Sequence, residues 1–211
     1  MFEQALSENT LRSLIKLGES KVLGQAYLAG GTSLALQIGH RISYDMDFFT
    51  QEVFEELTVA NQLKELGGFV QEKLGWRTVL GIIEGVKFSI FYYEYPLVVP
   101  AIEWRGLRIA QPQDIAAMKL LAISDRGARR DFVDLYLMKE MFPLTHVFEW
   151  YGQKFGNLEE RRYHLLRGLS YFADAEQEPM PNMRVPCDWE MVKEYFESQV
   201  LMFTKQWGIG R

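Results

Sequence analysis

The sequence predicts an α+β fold, in which a mixed strand-and-helix domain over residues 1–111 precedes an α-helical domain over residues 112–211. Two observations lead to this prediction. Short apolar strands alternate with amphipathic helices as far as about Ile109, and from Pro112 onward the apolar residues recur at helical spacing almost to the end. Pro112 is suited to the first turn of a helix, so we place the domain boundary directly before it.

The predicted elements follow from changes in the apolar period. The first domain is predicted to contain helix 3–18, strand 26–29, helix 32–38, strand 46–49, helix 53–66, a β-hairpin over 78–93 and a tight turn within 104–109. Gly39 is suited to the end of the second helix. The second domain is predicted to contain helices at 113–123, 129–141, 145–155, 158–173 and 188–207.

Composition restricts the class of protein. With 48% hydrophobic and 24% charged residues, the 211-residue chain has the balance of a soluble globular protein. The net charge of −5 argues against binding that depends on broad neutralisation of phosphates, although it is compatible with a local basic patch. Cys187 is the single cysteine, which excludes an intrachain disulfide and a thiolate metal site and favours a reducing compartment.

The chain shows no membrane or export signal. No apolar run approaches the roughly 18–20 residues that span a bilayer. The N-terminal segment is amphipathic and contains Glu3 and Glu8, unlike a secretory signal. We therefore expect a cytoplasmic protein without a membrane partner.

A glycine pair, a short helix and two aspartates in succession predict a site for a nucleoside triphosphate and a divalent cation. Gly30 and Gly31 lack a Cβ, so their backbone N–H groups can approach a phosphate closely, and the positive end of the following helix faces the same anion. Asp45 and Asp47 share one face of an extended segment, where a hard cation such as Mg²⁺ relieves their repulsion. The alternative is a tight turn followed by two exposed aspartates at a strand edge.

These residues carry a family resemblance. The spacing of Gly30-Gly31, thirteen residues and then Asp45-Met46-Asp47-Phe48 resembles the first motif of the DNA polymerase β-like nucleotidyltransferases. Within that superfamily, GGTSLALQIGHRISYDMDFF together with DIAAMKLLAISDRGARRDFVDLY resembles the AbiEii/AbiGii toxin family, over roughly residues 25–140. The resemblance implies a nucleotidyltransferase-like mixed β-sheet with flanking helices, followed by a C-terminal α-helical bundle.

The resemblance also implies roles for the first motif. Asp45 and Asp47 are expected to be catalytic and to bind Mg²⁺, and Gly30, Gly31 and Thr32 are expected to bind the β- and γ-phosphates of an NTP through N–H and hydroxyl groups. Arg41 belongs to the same pattern. Its guanidinium is expected either to contact phosphate or to pair with one of the two aspartates.

The second motif, Asp114 to Tyr136, adds further candidate residues. The resemblance implies that Lys119 is catalytic, through contact with a phosphate or nucleotide, and that Asp131 belongs to the nucleotide-binding set and is positioned by a Lys or Arg partner. Asp134 and Arg126 are also signature positions. The alternative is that these residues form a helix–helix salt-bridge network.

One position departs from the superfamily pattern. Active members usually supply a third carboxylate from a later strand, and this chain has Ser89 where that acid is expected. A neutral hydroxyl cannot replace a carboxylate as a general base, because its pKa is far too high. Glu84 and Glu94 flank the strand, so either of them is left open as a substitute.

The expected function combines these inferences. The resemblance implies a Mg²⁺-dependent enzyme that moves a nucleotidyl group from an NTP to a hydroxyl at a tRNA 3′ end or on a protein, and that acts as a toxin controlled by a separate antitoxin protein. The alternative, motivated by Ser89, is a catalytically weakened module of the same fold that binds a nucleotide or a partner.

Overall fold

The computed structural model describes residues 1–209 of the chain. The chain divides into two compact units: the first is Met1–Gln111, and the second begins at Pro112. Along the described residues, no helix is both long and apolar enough to cross a membrane. We describe each unit separately.

The first unit is built on a seven-stranded mixed sheet. Its helices are α1 (Glu8–Ser20), α2 (Gly30–Ile38) and α3 (Glu56–Glu65), and its strands are β1 (Tyr27–Leu28), β2 (Met46–Thr50), β3 (Phe69–Gly75), β4 (Thr78–Ile83), β5 (Val86–Tyr92), β6 (Ile102–Trp104) and β7 (Leu107–Ile109). The strand order is β3-β4-β5-β2-β1-β7-β6. The β2–β5 and β1–β7 pairs are parallel, and the other neighbouring pairs are antiparallel.

The core of the first unit lies on one face of this sheet. Phe48 on β2, Phe88 on β5 and Val79 on β4 are buried together with Leu14 of α1 and Leu63 of α3. Because alternate residues of a strand point to opposite faces, the burial of Phe48 and Phe88 leaves Asp47 and Ser89 on the other face. The apolar alternation of β2 therefore decides which face carries the polar residues.

Strand β3 was not expected from the sequence. Phe69, Val70 and Leu74 are its apolar residues, and they do not follow a strict alternation. The structure gives the reason: the pairing with β4 shifts register between Gln71 and Lys73, which is a β-bulge that interrupts the period of two. Most other predicted boundaries lie within a few residues of those observed.

The second unit is helical. Its helices are α4 (Pro112–Arg126), α5 (Arg129–Leu137), α6 (Leu144–Phe155), α7 (Leu158–Leu169), α8 (Ala173–Glu176) and α9 (Trp189–Trp207). Helix α4 packs against α5, α6 and α7, and its buried face includes Ile115, Leu120 and Ile123. A mixed sheet followed by these helices confirms the predicted α+β class.

Candidate functional site

The glycine pair forms the first turn of α2. Strand β1 ends at Leu28, and helix α2 begins at Gly30 with Ala29 as its N-cap. Ala29 has no side chain that could cap the helix, so the N–H groups of the first turn are not covered by a capping side chain. Uncapped N–H groups at the positive end of a helix are an anion-binding arrangement.

Asp47 lies directly beside this turn. The Ala29 N–H donates to the Asp47 backbone carbonyl across 3.0 Å, which fixes strand β2 against the start of α2. Gly30 has a φ of +64°, and a Cβ at that position would lie 3.5 Å from Asp47 Oδ2. The structure therefore places one oxygen of the Asp47 carboxylate at the N-terminus of the helix, as the motif predicts.

The other oxygen of Asp47 is held by Ser89. The two residues are paired across the parallel β2–β5 ladder, and Ser89 Oγ donates a hydrogen bond of 2.5 Å to Asp47 Oδ1. Ser89 thus occupies the position that faces the aspartates, where the superfamily pattern predicts an acid. Its hydroxyl fixes the rotation of the Asp47 carboxylate but adds no negative charge.

Asp45 directly precedes β2, and its backbone is tied to α2 by Thr32. The Thr32 hydroxyl donates to the Asp45 carbonyl and also contacts Ser43 Oγ at 2.9 Å. Thr32 is 2% exposed. The structure therefore assigns the Thr32 hydroxyl to positioning Asp45, while its backbone N–H lies in the first turn of α2. The contact of Thr32 with phosphate stays a prediction.

Arg41 packs against Gly31. A Cβ on Gly31 would lie 2.1 Å from Arg41 Nη2 and 3.3 Å from Ser43 Oγ, so only glycine leaves room for the guanidinium. Arg41 Nη1 donates to the Ile42 carbonyl at 3.2 Å. The predicted nucleotide-binding residues Gly30, Gly31 and Arg41 are thus adjacent, with a buried positive charge close to the uncapped turn.

The structure excludes Glu84 and Glu94 as a third acid. Both lie beyond the ends of β5, which are about 10 Å from Ser89 along the strand. Glu84 forms an ion pair with Lys16 at 2.9 Å, and Glu94 is exposed. Within residues 1–209, no three His, Cys, Asp or Glu residues form a metal-binding group. The alternative in which Glu84 or Glu94 completes the site is therefore wrong.

The acids present nevertheless fit Mg²⁺. This ion is commonly held by one or two carboxylates together with the phosphate oxygens of a substrate. Asp47 Oδ2 lies beside the first turn of α2, so a cation held by this carboxylate would be close to an anion bound at the turn. Asp45 and Asp47 are the residues that would hold it.

The second motif forms a buried ion cluster in the second unit. Lys119 on α4 is 5% exposed, and its Nζ lies 2.6 Å from Asp131 Oδ1 and 2.6 Å from Asp134 Oδ2 on α5. Arg126 donates to both oxygens of Asp131, at 2.8 and 3.1 Å. An ammonium has three donors, and two are directed at these carboxylates. The geometry favours the network alternative, and phosphate contact by Lys119 stays a prediction.

The cluster determines the titration of Asp131. Burial alone would raise its pKa, but the charge of Lys119 and the hydrogen bonds from Arg126 and Lys119 outweigh burial and hold the pKa below its ordinary value of 3.8. A carboxyl group whose pKa is lower in the folded state stabilises the fold at neutral pH. This stabilisation is lost as the pH falls below 3.8 toward the folded-state pKa, because only the unfolded chain then takes up the proton.

We expect wild type to lose more free energy of unfolding than an Asp131→Asn variant when the pH is lowered from 5 to 3. Other carboxyl groups titrate in both proteins, so the difference between them isolates Asp131. Urea titrations at each pH measure the two free energies. Parallel curves for wild type and variant would contradict the assigned direction of the pKa shift.

Sequence reasoning missed a second buried ion pair. Lys154 Nζ on α6 lies 2.9 Å from Asp114 Oδ1 on α4, and both side chains are fully buried. In the sequence, Asp114 was identified only as the first residue of the second motif. The two residues are 40 positions apart, so no local pattern connects them.

Comparisons with known proteins show which family the chain resembles. The family described as nucleotidyl transferase AbiEii toxin of a type IV TA system matches residues 12–201. An uncharacterized protein of Aquifex aeolicus (strain VF5) is 33% identical over 196 residues, which are 90% of this chain and 92% of that protein.

Two crystal structures from Helicobacter pylori share the fold. One is of a protein proposed to be a nucleotidyltransferase, with a TM-score of 0.54 over 95% of this chain and 96% of that chain. The other is of JHP933, with a TM-score of 0.53 over 95% of this chain and 94% of that chain. Both are 20% identical to this chain, so they support the fold alone.

A seven-stranded mixed sheet followed by a helical unit defines a nucleotidyltransferase-like fold. With nine-tenths of its length matched, the chain belongs to the AbiEii nucleotidyl transferase toxin family.

Proposed function

We propose that this protein is a Mg²⁺-dependent nucleotidyltransferase that transfers a nucleotidyl group from an NTP to a hydroxyl of an RNA, such as a tRNA 3′ end, or of a protein. One observation carries the proposal: Asp47 Oδ2 lies at the uncapped N-terminus of α2, beside Gly30. An anion in the turn and a cation on the carboxylate would then be neighbours, as a metal–triphosphate complex requires.

Different residues of the first unit would bind the phosphates, position the aspartates and hold the metal ion. The N–H groups of Gly30 and Gly31 would bind the terminal phosphates, and the guanidinium of Arg41 lies close enough to Gly31 to add positive charge. Ser89 holds Asp47 in one rotamer, and Thr32 holds the backbone of Asp45. Mg²⁺ bound by Asp45 and Asp47 would neutralise negative charge as pyrophosphate leaves.

The bond changes in this reaction balance without a further reactant. The acceptor oxygen forms a bond to the α-phosphorus, the bond from the α-phosphorus to the bridging oxygen breaks, and pyrophosphate leaves. The acceptor hydroxyl loses its proton to solvent or to an acid of the site. Ser89 cannot take this proton, because a neutral hydroxyl is too weak a base, so the carboxylates of Asp45 and Asp47 are the candidates within this motif.

A transfer assay tests the proposal. Purified protein is incubated with Mg²⁺, total RNA or cell lysate, and each of the four NTPs labelled at the α-phosphate. We expect label to enter a macromolecular fraction, and we expect Asp45→Asn together with Asp47→Asn to reduce the rate about a thousandfold, because several kcal/mol of charge stabilisation are lost.

A matched charge control is the Asp125→Asn and Asp174→Asn variant, which alters exposed acids of the second unit. Transfer that survives removal of Asp45 and Asp47 would refute the site.

Ser89 supports a second candidate function. Without a third carboxylate, the same turn and acids suit an NTP-binding module that performs no transfer. Calorimetry with NTP and Mg²⁺, combined with the transfer assay, separates the two cases. Binding without transfer to any fraction would favour the module.

Family membership also supports an antitoxin partner. We propose that a separate antitoxin protein restrains the activity in the cell. Co-expression with the product of an adjacent gene should relieve any growth inhibition that the wild-type protein causes.

A further inference from the structure

The strands beside Asp47 have an open face that the proposed reaction does not use. The register of β3, β4 and β5 places several residues on the same face as Asp47 and Ser89, and we call five of them the open face: Val70, Lys73, Leu80, Ile82 and Lys87. The opposite face carries the buried residues Phe69, Val79 and Phe88. The open face is thus the solvent side of an amphipathic sheet.

The open face is more apolar than a solvent-facing sheet needs to be. Val70 is 63% exposed, and Leu80 and Ile82 are partly exposed. The solvent side of an antiparallel sheet normally carries polar residues, and contiguous exposed apolar residues indicate an interaction surface. Phe91 lies on the same face two residues beyond Ser89, extends this apolar surface and is also partly exposed.

The charges on the open face are positive. Lys73 and Lys87 are exposed, and neither forms an ion pair with another residue of the described chain. Glu72, the unpaired residue of the bulge, is exposed next to Lys73. In a chain with a net charge of −5, two unpaired lysines on an apolar floor are a local attraction for an anion.

The open face is continuous with the candidate site. Asp47, Ser89, Leu80 and Lys73 form one row across four neighbouring strands, so Lys73 lies about 14 Å from Asp47. Lys87 is two residues from Ser89, about 7 Å along β5. A ligand on this face would extend from the reacting centre to the sheet edge.

We propose that the open face binds a single-stranded segment of an RNA acceptor and guides its terminal hydroxyl toward Asp45 and Asp47. Unpaired bases offer flat apolar faces for Leu80, Ile82, Val70 and Phe91, and the phosphates match Lys73 and Lys87. A protein acceptor would need acidic side chains to match the two lysines, whereas every RNA segment carries phosphates. This proposal rests on the proposed function only for the placement of the RNA terminus at Asp45 and Asp47.

Fluorescence anisotropy with a labelled single-stranded RNA of about 12 nucleotides tests the proposal. The titration contains no NTP and no Mg²⁺, so it does not depend on transfer. We expect Lys73→Glu with Lys87→Glu to raise the Kd at least tenfold and to lower the slope of log K against log salt by about 1.4, the value for two phosphates on a single strand. We expect Leu80→Gln to weaken binding without changing that slope.

Control variants distinguish a specific effect of the open face from a general effect of the changed net charge. Lys21→Glu with Lys205→Glu makes the same charge change at exposed positions outside the open face, and it should leave the Kd within about twofold. Duplex RNA should bind more weakly than the single strand. Circular dichroism confirms that each variant is folded.

Four results would overturn the proposal: no binding by wild type at low salt, an unchanged Kd in the Lys73 and Lys87 variant, an equal loss in the control, or equal affinity for duplex RNA. The first of these would assign the face to a protein partner instead. Loss of NTP binding or transfer in a separate assay would refute the proposed function while leaving this titration unaffected.

Discussion

Replacement of Lys119 by methionine is expected to lower the free energy of unfolding by about 3–5 kcal/mol. The ammonium of Lys119 lies 2.6 Å from Asp131 and 2.6 Å from Asp134, and both carboxylates are fully buried. Methionine keeps most of the length of the side chain but removes the charge. Asp131 keeps the guanidinium of Arg126, but the buried carboxylate of Asp134 loses the charge of Lys119 and retains its desolvation penalty.

The matched control is Lys193→Met. Lys193 on α9 forms an ion pair with Glu176 at 2.9 Å, but Glu176 is about half exposed. Exposed pairs contribute less than about 1 kcal/mol, so this variant should unfold close to wild type. Urea titrations followed by circular dichroism compare the two. Equal stability of the two variants would show that the cluster on α4 and α5 is not a structural network.

Replacement of Gly31 by alanine is expected to weaken NTP binding at least tenfold while leaving the protein folded. The new Cβ would meet Arg41 Nη2 at 2.1 Å, so the guanidinium must move away from the turn. The contact at stake is the one expected between the guanidinium of Arg41 and a phosphate of the NTP. Loss of such a charge-assisted contact costs more than about 1.4 kcal/mol, which is a factor of ten in affinity. Calorimetry with NTP and Mg²⁺ measures the change.

Gly30→Ala is the contrasting variant. Its Cβ would make an ordinary contact with Asp47 Oδ2 at 3.5 Å, but its φ of +64° disfavours any side chain by about 1–2 kcal/mol. We therefore expect Gly30→Ala to cost mainly stability and Gly31→Ala to cost mainly affinity. If both variants bind NTP as wild type does, the turn is not the phosphate site.

The local parts of the candidate site follow directly from the sequence. Glycine at an uncapped helix start, a β-strand with apolar alternate residues and two aspartates on its polar face are all local patterns. They were sufficient to place Asp47 beside Gly30, because β2 returns after α2 to pair with β1. The same patterns predict the α+β class, since the change of apolar period at Pro112 is abrupt.

The non-local parts could not be predicted in this way. The Thr32 hydroxyl contacts Ser43 and the Asp45 carbonyl, a consequence of how the chain returns after α2. Strand β3 was not predicted, because its β-bulge interrupts the alternation of apolar and polar residues. Glu94 and Glu84 were plausible acids in sequence, yet the register of β5 places both beyond its ends.

The two motifs differ in what the structure makes of them. The first motif forms a turn with N–H groups that no side chain caps, and the turn lies beside the carboxylate of Asp47, which suits an incoming charged ligand. The second motif pairs its acids with its cations: Lys119 and Arg126 face Asp131 and Asp134. We therefore propose that a ligand binds at residues 27–50 of the first unit, whereas the ion pairs of the second motif hold α4 against α5.

Mg²⁺-dependent NTP binding tests the central claim most directly. Each of the four NTPs is titrated by calorimetry into wild type and into the Asp45→Asn, Asp47→Asn variant, with Mg²⁺ and with EDTA. At least one NTP should bind wild type, and either EDTA or the double substitution should weaken its binding at least tenfold, because the carboxylates hold the ion that neutralises the triphosphate. Failure of all four NTPs to bind, or binding that is unaffected by EDTA and by the substitutions, would contradict the assignment of this turn and these aspartates as a metal–nucleotide site.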